Sequence, residues 1–252
     1  MLSAQRRAYL LETLRRDGKV VAKDIAAELG LSEDSIRRDL REMAAEGLCQ
    51  RVYGGALPLS PAVVGYDQRK LVSVEGKQRV AAKALELIDH GSTIIIDGGT
   101  TALALARLLP SSLQCTVVTH SPTVASALVE HPSVDVFIIG GRLFKHSAVA
   151  SGAAAVEAAE RISADMFFLG VTGIHPDNGL TTGDPDEAAM KRVLASRAAE
   201  TYVLGSAEKV GAASPYGVIG FEDAAGLITD ADRRSDVVRA LSERVRIVDA
   251  GA

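Results

Sequence analysis

Apolar residues in the first part of the chain recur at helical spacing. Helices are predicted over residues 4–17, 24–29 and 33–46, and a short β-hairpin over residues 48–56. In the third helix, Ile36, Leu40 and Met43 share one face, which we expect to be buried. Ser32 precedes this helix as an N-cap.

From residue 76 onward, segments of strand and helix alternate. Strands are predicted over residues 93–96, 115–119, 134–139, 166–171, 201–204, 227–229 and 245–248. Helices are predicted over residues 76–89, 102–109, 122–130, 153–162, 185–198 and 235–241. This alternation predicts a largely parallel, layered sheet with right-handed crossovers. Three consecutive isoleucines at 94–96 are typical of a strand that is buried on both faces.

The two patterns are separated by a connector. Residues 57–65 include Pro58 and Pro61 and show no helical period. We therefore predict a small domain at 1–57, a linker at 58–73 and a larger domain at 74–252, a division that 252 residues allow.

Composition narrows the class of protein. Apolar residues make up 47% and charged residues 24%, as in soluble globular proteins, and no apolar stretch is long enough to span a bilayer. Cys49 and Cys115 lie far apart without ligand spacing, which favours the reducing cytoplasm over a disulfide framework or a zinc site. We predict no membrane partner, no metal and no cofactor.

Charge is divided unevenly within the net −4 of the chain. Residues 1–57 hold ten Lys or Arg against nine Asp or Glu, a net charge of +1, which leaves −5 for the remainder. This contrast fits an N-terminal domain that approaches a polyanion.

The second and third predicted helices form a helix-turn-helix, since Gly30 turns the chain between them. Burial of the apolar face leaves Ser35, Arg37, Arg38 and Arg41 pointing outward, where they could contact DNA. The alternative is a solvated helix that is held by ion pairs. In that case Arg38 would pair with Asp34 and Glu42, each four residues away.

In the larger domain, small and polar residues gather where strands end. Parallel sheets bind ligands beyond the carboxyl ends of their strands. These ends are residues 97–101, 119–121, 140–141 and 170–173, with 179–182 following. Residues 97–101 form a glycine turn before a helix, and the free N–H groups and the dipole of such a helix favour phosphate. Packing alone could also explain a glycine turn.

Three ionisable residues could serve this crevice. Glu187 and Lys191 are one helical turn apart and could hold sugar hydroxyls or move protons, or could form an ordinary ion pair. Lys209 follows a strand end and could meet a phosphate, although loop lysines are usually solvated. For His120, polar packing is the favoured interpretation.

Residues 32–40, Gly47 and residues 51–56 closely resemble the DNA-binding signature of the DeoR family of bacterial transcription regulators. The likeness covers the first 57 residues and implies a winged helix-turn-helix with residues 32–43 as recognition helix and 51–55 as wing. The DNA-binding positions implied are Lys23, Ser32, Ser35, Arg37, Arg38, Arg41, Arg51 and Tyr53. Ser35 replaces the usual threonine and Tyr53 a common histidine, which bears on the operator sequence.

Residues 74–249 resemble the sensor domain of the same family, which is similar to sugar-phosphate isomerases and binds a phosphorylated sugar or related metabolite as effector. The positions implied are Asp97, Gly98, Gly99, Thr100, Thr101, Thr119, His120, Ser121, Gly140, Gly141, Gly170, Gly173, Thr181, Glu187, Lys191 and Lys209. Gly98, His120 and Ser206 depart from the usual serine, asparagine and aspartate. They change the hydrogen-bonding groups of the crevice.

The expected fold class is thus α/β: a small winged helix-turn-helix domain plus a larger Rossmann-like, mostly parallel sensor domain. The expected function is a regulator, with no catalytic residue, that represses carbohydrate-metabolism genes. Its expected partners are operator DNA and a phosphorylated effector, and it is expected to form a homodimer or homotetramer. The alternative is an active aldose-ketose isomerase with Glu187 as general base and Lys191 or Lys209 stabilising an enediolate.

Overall fold

The computed structural model of the protein describes residues 2–60 and 64–251. It confirms the expected fold class, with a winged helix-turn-helix followed by a Rossmann-like α/β domain. Among the described residues, none of the helices has the length and apolar character that a membrane span requires.

Within residues 2–60, three helices and a small sheet are formed. They are α1 (Ser3–Asp17), β1 (Val20–Val21), α2 (Ala22–Leu29), α3 (Glu33–Ala45), β2 (Gln50–Val52) and β3 (Gly55–Leu57). β3 pairs antiparallel with both β1 and β2, so the predicted hairpin gains a third strand. Gly18 and Gly30 end the first two helices with φ of 69° and 64°, a left-handed conformation that glycine adopts without a Cβ clash.

The predicted faces of α3 are confirmed. Ile36, Leu40 and Met43 are buried against Leu10 and Leu14 of α1. The apolar side of the helix is therefore held by the core, and its polar side is free to meet solvent or a partner.

The alternative of a helix held by ion pairs of Arg38 with Asp34 and Glu42 is not observed among the described residues, because neither carboxylate lies within ion-pair distance of Arg38. Arg37 pairs with Glu33 at 2.6 Å, and Arg38 forms no ion pair with any carboxylate that the structure describes.

A buried ion pair attaches α3 to α1. The guanidinium of Arg6 donates from Nε and Nη2 to the two carboxylate oxygens of Asp39, and the Nη2 distance is 3.0 Å. Both side chains are buried, so if one of them is removed, water cannot solvate the charge of the other. This pair fixes the rotation and position of α3 on the domain.

The larger domain alternates strands and helices as predicted. Its strands are β4 (Thr93–Ile96), β5 (Cys115–Thr119), β6 (Val134–Ile138), β7 (Arg142–Phe144), β8 (Val149–Ser151), β9 (Ala164–Gly170), β10 (Gly173–His175), β11 (Gly179–Thr182), β12 (Ala198–Leu204), β13 (Tyr216–Gly217), β14 (Gly226–Thr229) and β15 (Ile247–Asp249). Its helices are α4 (Tyr66–Arg69), α5 (Val74–Leu85), α6 (Thr100–Leu108), α7 (Pro122–Leu128), α8 (Ala153–Ala159), α9 (Pro185–Ser196) and α10 (Asp236–Ser242).

Seven of the described strands form one parallel sheet in the order β15-β14-β12-β9-β4-β5-β6. Ile94 and Ile96 of β4 pack on the side of α5, α6 and α7, whereas Ile95 packs on the side of α8, α9 and α10. All three isoleucines are fully buried, which confirms that this strand is covered on both faces.

The order in which the strands are added to the sheet reverses at β4. The chain runs from β4 outward to β6 and then returns to β9, on the other side of β4, before it continues to β15. A crevice opens at such a switch point because the loops after the two neighbouring strands lead away from each other. Residues 97–101 lie directly at this point.

Two antiparallel additions were not predicted. β7 and β8 form a hairpin, and β10, β11 and β13 form a small sheet. These strands are two to four residues long and lie among glycines and polar residues, so they show too few alternations for a period to be recognised.

The predicted linker packs against the larger domain where it is described. Tyr66 shares a hydrogen bond of 2.7 Å with Thr123, and Leu59 forms an isolated β-bridge with Ala213. Residues 61–63 of this linker lie outside the described residues. The domain boundaries at 57 and 74 stay predictions.

Replacing Asp39 by alanine should lower the free energy of unfolding of the N-terminal domain by about 3 kcal/mol, because Arg6 would remain buried without its partner. Urea unfolding of the full chain measures this change. Arg37→Ala is the matched control: its exposed pair with Glu33 should contribute less than about 1 kcal/mol. Equal losses in the two variants would contradict the assigned role of Asp39.

Candidate functional site

The exposed side of α3 is one candidate site. Ser32 caps the helix by accepting a hydrogen bond from the backbone N–H of Ser35 at 3.3 Å. Arg37, Arg38 and Arg41 are exposed on the side opposite the core. The N-terminal part of such a helix can enter a major groove, with arginines that reach bases and phosphates.

The remaining predicted DNA-binding residues are also at the surface. Lys23 is exposed near the start of α2, Arg51 is exposed on β2, and Tyr53 projects into solvent from the turn between β2 and β3. The arrangement therefore supplies a recognition helix and a wing, although the contacts of individual residues with DNA stay predictions.

The second candidate site is a cavity at the switch point of the large sheet. It is bounded by the turn after β4, the end of β9, the N-terminal half of α9 and the loop after β12. Its walls combine the N-terminus of α6 with buried charged side chains of both signs.

Asp97 lies behind this cavity and is completely buried. Its carboxylate accepts hydrogen bonds from the ammonium of Lys191 at 2.5 Å, the ring of His120 at 2.7 Å and the N–H groups of Gly98 and Gly170 at 2.7 and 2.8 Å. Burial by itself would raise the pKa of Asp97, but Lys191 and His120 outweigh it and hold that pKa below its ordinary value. Both carboxylate oxygens of Asp97 are thus hydrogen-bonded, and these bonds hold Lys191, His120, Gly98 and Gly170 in place.

Glu187 and Lys191 form the predicted pair on α9 at 3.3 Å. Ser147 and Thr182 donate to the same oxygen of Glu187 at 3.1 and 3.0 Å, and both line the cavity. Burial acts to lower the pKa of Lys191, yet Asp97 and Glu187 raise it above its ordinary value. This side of the cavity therefore offers a compensated set of carboxylate, ammonium and hydroxyl groups.

His120 serves Asp97 rather than the cavity wall. Its Nε2 faces Asp97, and its Nδ1 lies 2.9 Å from the carbonyl of Ala150 at the end of the β7–β8 hairpin. Both contacts face acceptors and can be hydrogen bonds at once only when both ring nitrogens carry hydrogen. Polar packing, the favoured interpretation of this histidine, agrees with its position.

The opposite side of the cavity is cationic. Arg69, Lys77 and Lys209 are buried there, and among the described residues none of them has a carboxylate within ion-pair distance. Lys209 donates to Thr101 and to the carbonyl of Leu204, each at 3.3 Å. Burial lowers the pKa of Lys209 to about 8, because the charged form is poorly solvated.

Two glycines are required by close packing. A Cβ at Gly98 would lie 2.0 Å from a methyl group of Val149, so the space that a serine would need is filled. A Cβ at Gly170 would lie 3.0 Å from the carbonyl of Gly98 and would crowd Asp97. These glycines allow β4, β9 and the β7–β8 hairpin to converge on the carboxylate.

Half of the predicted effector-binding residues line this cavity: Gly98, Gly99, Thr100, Thr101, Gly170, Glu187, Lys191 and Lys209. Asp97 and His120 lie behind them. Six others do not line it: Thr119, Ser121, Gly140, Gly141, Gly173 and Thr181. Gly140 and Gly141 are exposed beyond β6. Gly173 packs closely against Ala212, because a Cβ at Gly173 would lie 2.7 Å from the carbonyl oxygen of Ala212. Effector contact at these six positions stays a prediction.

Nine lining residues were not among the predicted positions: Arg69, Val72, Lys77, Ala102, Ser147, Val171, Thr172, Thr182 and Glu208. One signal was present for Lys77, because it lies on the helix face that buries Val80, Ala81 and Ala84. Arg69 carries no such signal, since it belongs to a short helix in the predicted linker. Among the described residues, no group of His, Cys, Asp or Glu side chains is arranged to hold a metal ion.

Comparisons with known proteins cover both parts of the chain. A model of the DeoR-like helix-turn-helix domain matches residues 6–61, and a model of the DeoR C terminal sensor domain matches residues 72–231. A ribose 5-phosphate isomerase structure from Methanocaldococcus jannaschii is a distant neighbour, with 16% identity, 50% of each chain covered and a TM-score of 0.37.

Curated relatives are similar over nearly their full length. The HTH-type transcriptional regulator GlpR of Haloferax volcanii is 34% identical, with 100% of both chains covered. A putative aga operon transcriptional repressor of Escherichia coli O157:H7 is 30% identical over 95% of this chain and 90% of its own. The glycerol-3-phosphate regulon repressor of Escherichia coli K12 is 30% identical over 96% and 97%.

Replacing Lys191 by methionine should lower the free energy of unfolding by about 3 kcal/mol or more at neutral pH, because Asp97 would keep its burial and lose its cation. Thermal and urea unfolding measure this change. Arg192→Gln is the control, since Arg192 is exposed and donates only to the carbonyl of Gly217.

The pH dependence provides a second check. The lowered pKa of Asp97 stabilises the wild type above the unfolded pKa, and this stability begins to fall below about pH 4 and is lost as pH falls further, through the lowered pKa of the folded protein. Lys191→Met removes the main cause of the lowered pKa, so its loss relative to the wild type should shrink toward acid pH. A loss that is constant with pH would refute the charge pairing as its cause.

Proposed function

We propose, for a chain that belongs to the DeoR family of DNA-binding transcription regulators, that occupancy of the switch-point cavity by a phosphorylated sugar or polyol controls its binding to operator DNA. The protein is a regulator and not an enzyme, so the isomerase alternative is set aside. It represses genes of carbohydrate metabolism, in line with the family and with relatives named as regulon repressors.

One observation carries the choice of effector. Among the described residues, Arg69, Lys77 and Lys209 are buried cations that form no ion pair, and they face the turn that leads into α6. The carboxylate of Glu208 lies on the same side of the cavity, outside ion-pair distance of all three, and attracts Lys77 and Lys209. Three cations against the single carboxylate of Glu208 leave an excess of buried positive charge on this side, which is costly, so the cavity favours an anion that supplies the missing charge. A phosphoryl group fits because it carries about two negative charges and accepts from lysine, arginine and helix N–H groups together.

The rest of the ligand is expected to be rich in hydroxyls. Glu187, Lys191, Ser147 and Thr182 form a set of donors and acceptors at the other side of the cavity. Such groups recognise hydroxyls better than apolar atoms. A phosphorylated sugar or polyol combines both features, and the relative named for glycerol 3-phosphate is consistent with this class.

For DNA, we propose that α3 enters the major groove and that the turn between β2 and β3 acts as the wing. Lys23, Ser32, Ser35, Arg37, Arg38, Arg41, Arg51 and Tyr53 are the proposed contacts. Two copies of the chain would place two recognition helices on repeated half-sites, so we propose a homodimer or homotetramer.

A phosphorylated ligand should raise the melting temperature, whereas its unphosphorylated counterpart should not. At a hundred times its dissociation constant, a ligand that binds only the folded protein stabilises it by about 2.7 kcal/mol. A thermal-shift panel that pairs phosphorylated sugars and polyols with their free forms tests this. Equal shifts within a pair would contradict the phosphoryl site.

The affinity for inorganic phosphate should fall as pH rises above about 8, because Lys209 then loses the proton that attracts the anion. Calorimetric titration across this range measures the change. Lys209→Gln should bind more weakly at every pH and should not show this decline. A wild-type affinity that stays constant above pH 8 would exclude Lys209 from the anion site.

Arg38→Ala should weaken specific operator binding by about tenfold or more while ligand stabilisation stays unchanged, because Arg38 is exposed and has no acidic partner on α3. Binding to an operator selected from random DNA, at fixed salt, measures this. Arg161→Ala is the control, since Arg161 is an exposed arginine of the larger domain. An unaltered affinity in the Arg38 variant would show that this arginine does not read the operator.

A further inference from the structure

The segment between the two domains is built into the wall of the cavity. We define the connector as residues 58–60 and 64–73. Arg69 and Val72 of the connector line the cavity directly, and so does Lys77 in the first turns of α5, just after it. At its other end, Ser60 donates to the carbonyl of Thr172, another lining residue. Ser60 follows β3 of the wing by three residues.

Arg69 is incompletely bonded in this position. It is 8% exposed, its Nη2 donates to the carbonyl of His146 at 2.7 Å, and its Nε has no hydrogen-bond partner among the described residues. The ring of Tyr66, 5.7 Å away, is its aromatic neighbour. A buried guanidinium N–H without an acceptor beside a cavity can donate to a ligand or a water molecule that enters it.

Lys77 joins the connector to the same place. Its ammonium donates to the carbonyls of Arg69, at 2.6 Å, and Val72, which are both connector residues. An ammonium has three hydrogens, so one remains for a ligand in the cavity. The ammonium of Lys77 therefore both holds the end of the connector and faces the cavity.

Electrostatics make this junction sensitive to an anion. Arg69, Lys77 and Lys209 repel one another, Glu208 offsets this repulsion only in part from outside ion-pair distance, and burial lowers the pKa of all three cations. This repulsion acts between the connector and the domain on which it packs. An anion at the centre would reverse it, since each cation would then attract the shared charge.

We propose that the phosphoryl group of the effector clamps the connector onto the sensor domain through Arg69 and Lys77, and that the connector transmits cavity occupancy to the wing. This inference rests on the proposed function and adds the route of regulation. The route runs from the anion to Arg69 and Lys77 at one end of the connector, and from the cavity-lining residue Thr172 to Ser60 at its other end, which leads to β3. A ligand that orders the connector changes the freedom of the winged domain to place its recognition helix.

Hydrogen exchange of the full chain tests this route. The amides of residues 69–72 donate to carbonyls within the connector, so their exchange reports on its order. The probes are glycerol 3-phosphate and inorganic phosphate, with glycerol as the uncharged control. Each anion should slow the exchange of these amides by about fivefold or more, and glycerol should leave it unchanged.

Lys77→Gln and Arg69→Gln provide the variants, and Lys83→Gln and Lys70→Gln are their matched controls. Lys83 is half-buried on α5, the helix of Lys77, and Lys70 is exposed and directly follows Arg69. Each pairs with the carboxylate of an exposed residue. The Lys77 and Arg69 variants should bind phosphate about tenfold or more weakly. At saturating anion they should also lose the connector protection and the ligand-induced change in operator affinity, whereas both controls keep them.

The outcomes separate the two proposals. If neither anion stabilises the wild type, the anion site fails and this inference fails with it. If the anions stabilise the protein and alter operator binding but leave residues 69–72 unprotected, only the inference is overturned. It is also overturned if the Lys77 and Arg69 variants, at saturation, keep the wild-type operator response.

Discussion

The burial of the Asp97 carboxylate constrains the whole larger domain. A fully buried anion must be matched by hydrogen bonds and positive charge. Here Lys191 arrives from α9, His120 from the end of β5, and the Gly170 N–H from the end of β9. These elements are far apart in the chain, so they meet only when the sheet and its helices are assembled. The switch-point cavity exists because these groups converge behind its floor.

Charge is compensated on one side of that cavity and left open on the other. Glu187, Asp97 and Lys191 satisfy one another, and this side is complete in the protein alone. Arg69, Lys77 and Lys209 are buried and form no ion pair among the described residues, and Glu208 offsets only part of their charge. The buried positive charge lowers the stability of the protein without a ligand. A bound anion offsets this cost, so it stabilises the folded protein. The stability of the domain therefore depends on whether the cavity is occupied, which is the physical basis for a sensor.

The winged domain shows the same division between groups that hold the fold and groups that meet a partner. Arg6 and Asp39 form a buried ion pair that holds α3 against α1. Arg38 and Arg41 are exposed on the opposite side of that helix. The contact from Ser60 to Thr172 then joins this domain to the wall of the sensor cavity. The wing is thus linked to the cavity wall at Ser60, and Arg69 and Val72 of the connector line the same cavity.

Local pattern in the sequence determined most of the elements of the fold. Ile36, Leu40 and Met43 identified the buried face of α3, and the three isoleucines of β4 identified a strand covered on both sides. The turn at residues 97–101 and the pair of Glu187 with Lys191 were recognisable because their spacing is short. Only the tertiary structure decided that Arg6 pairs with Asp39, that Val149 fills the space beside Gly98, and that Arg69 and Lys77 face the cavity. Periodicity reports on neighbours within a few positions, whereas these contacts join residues that are distant in the chain, and a charged residue in a local pattern is indistinguishable from a solvated one.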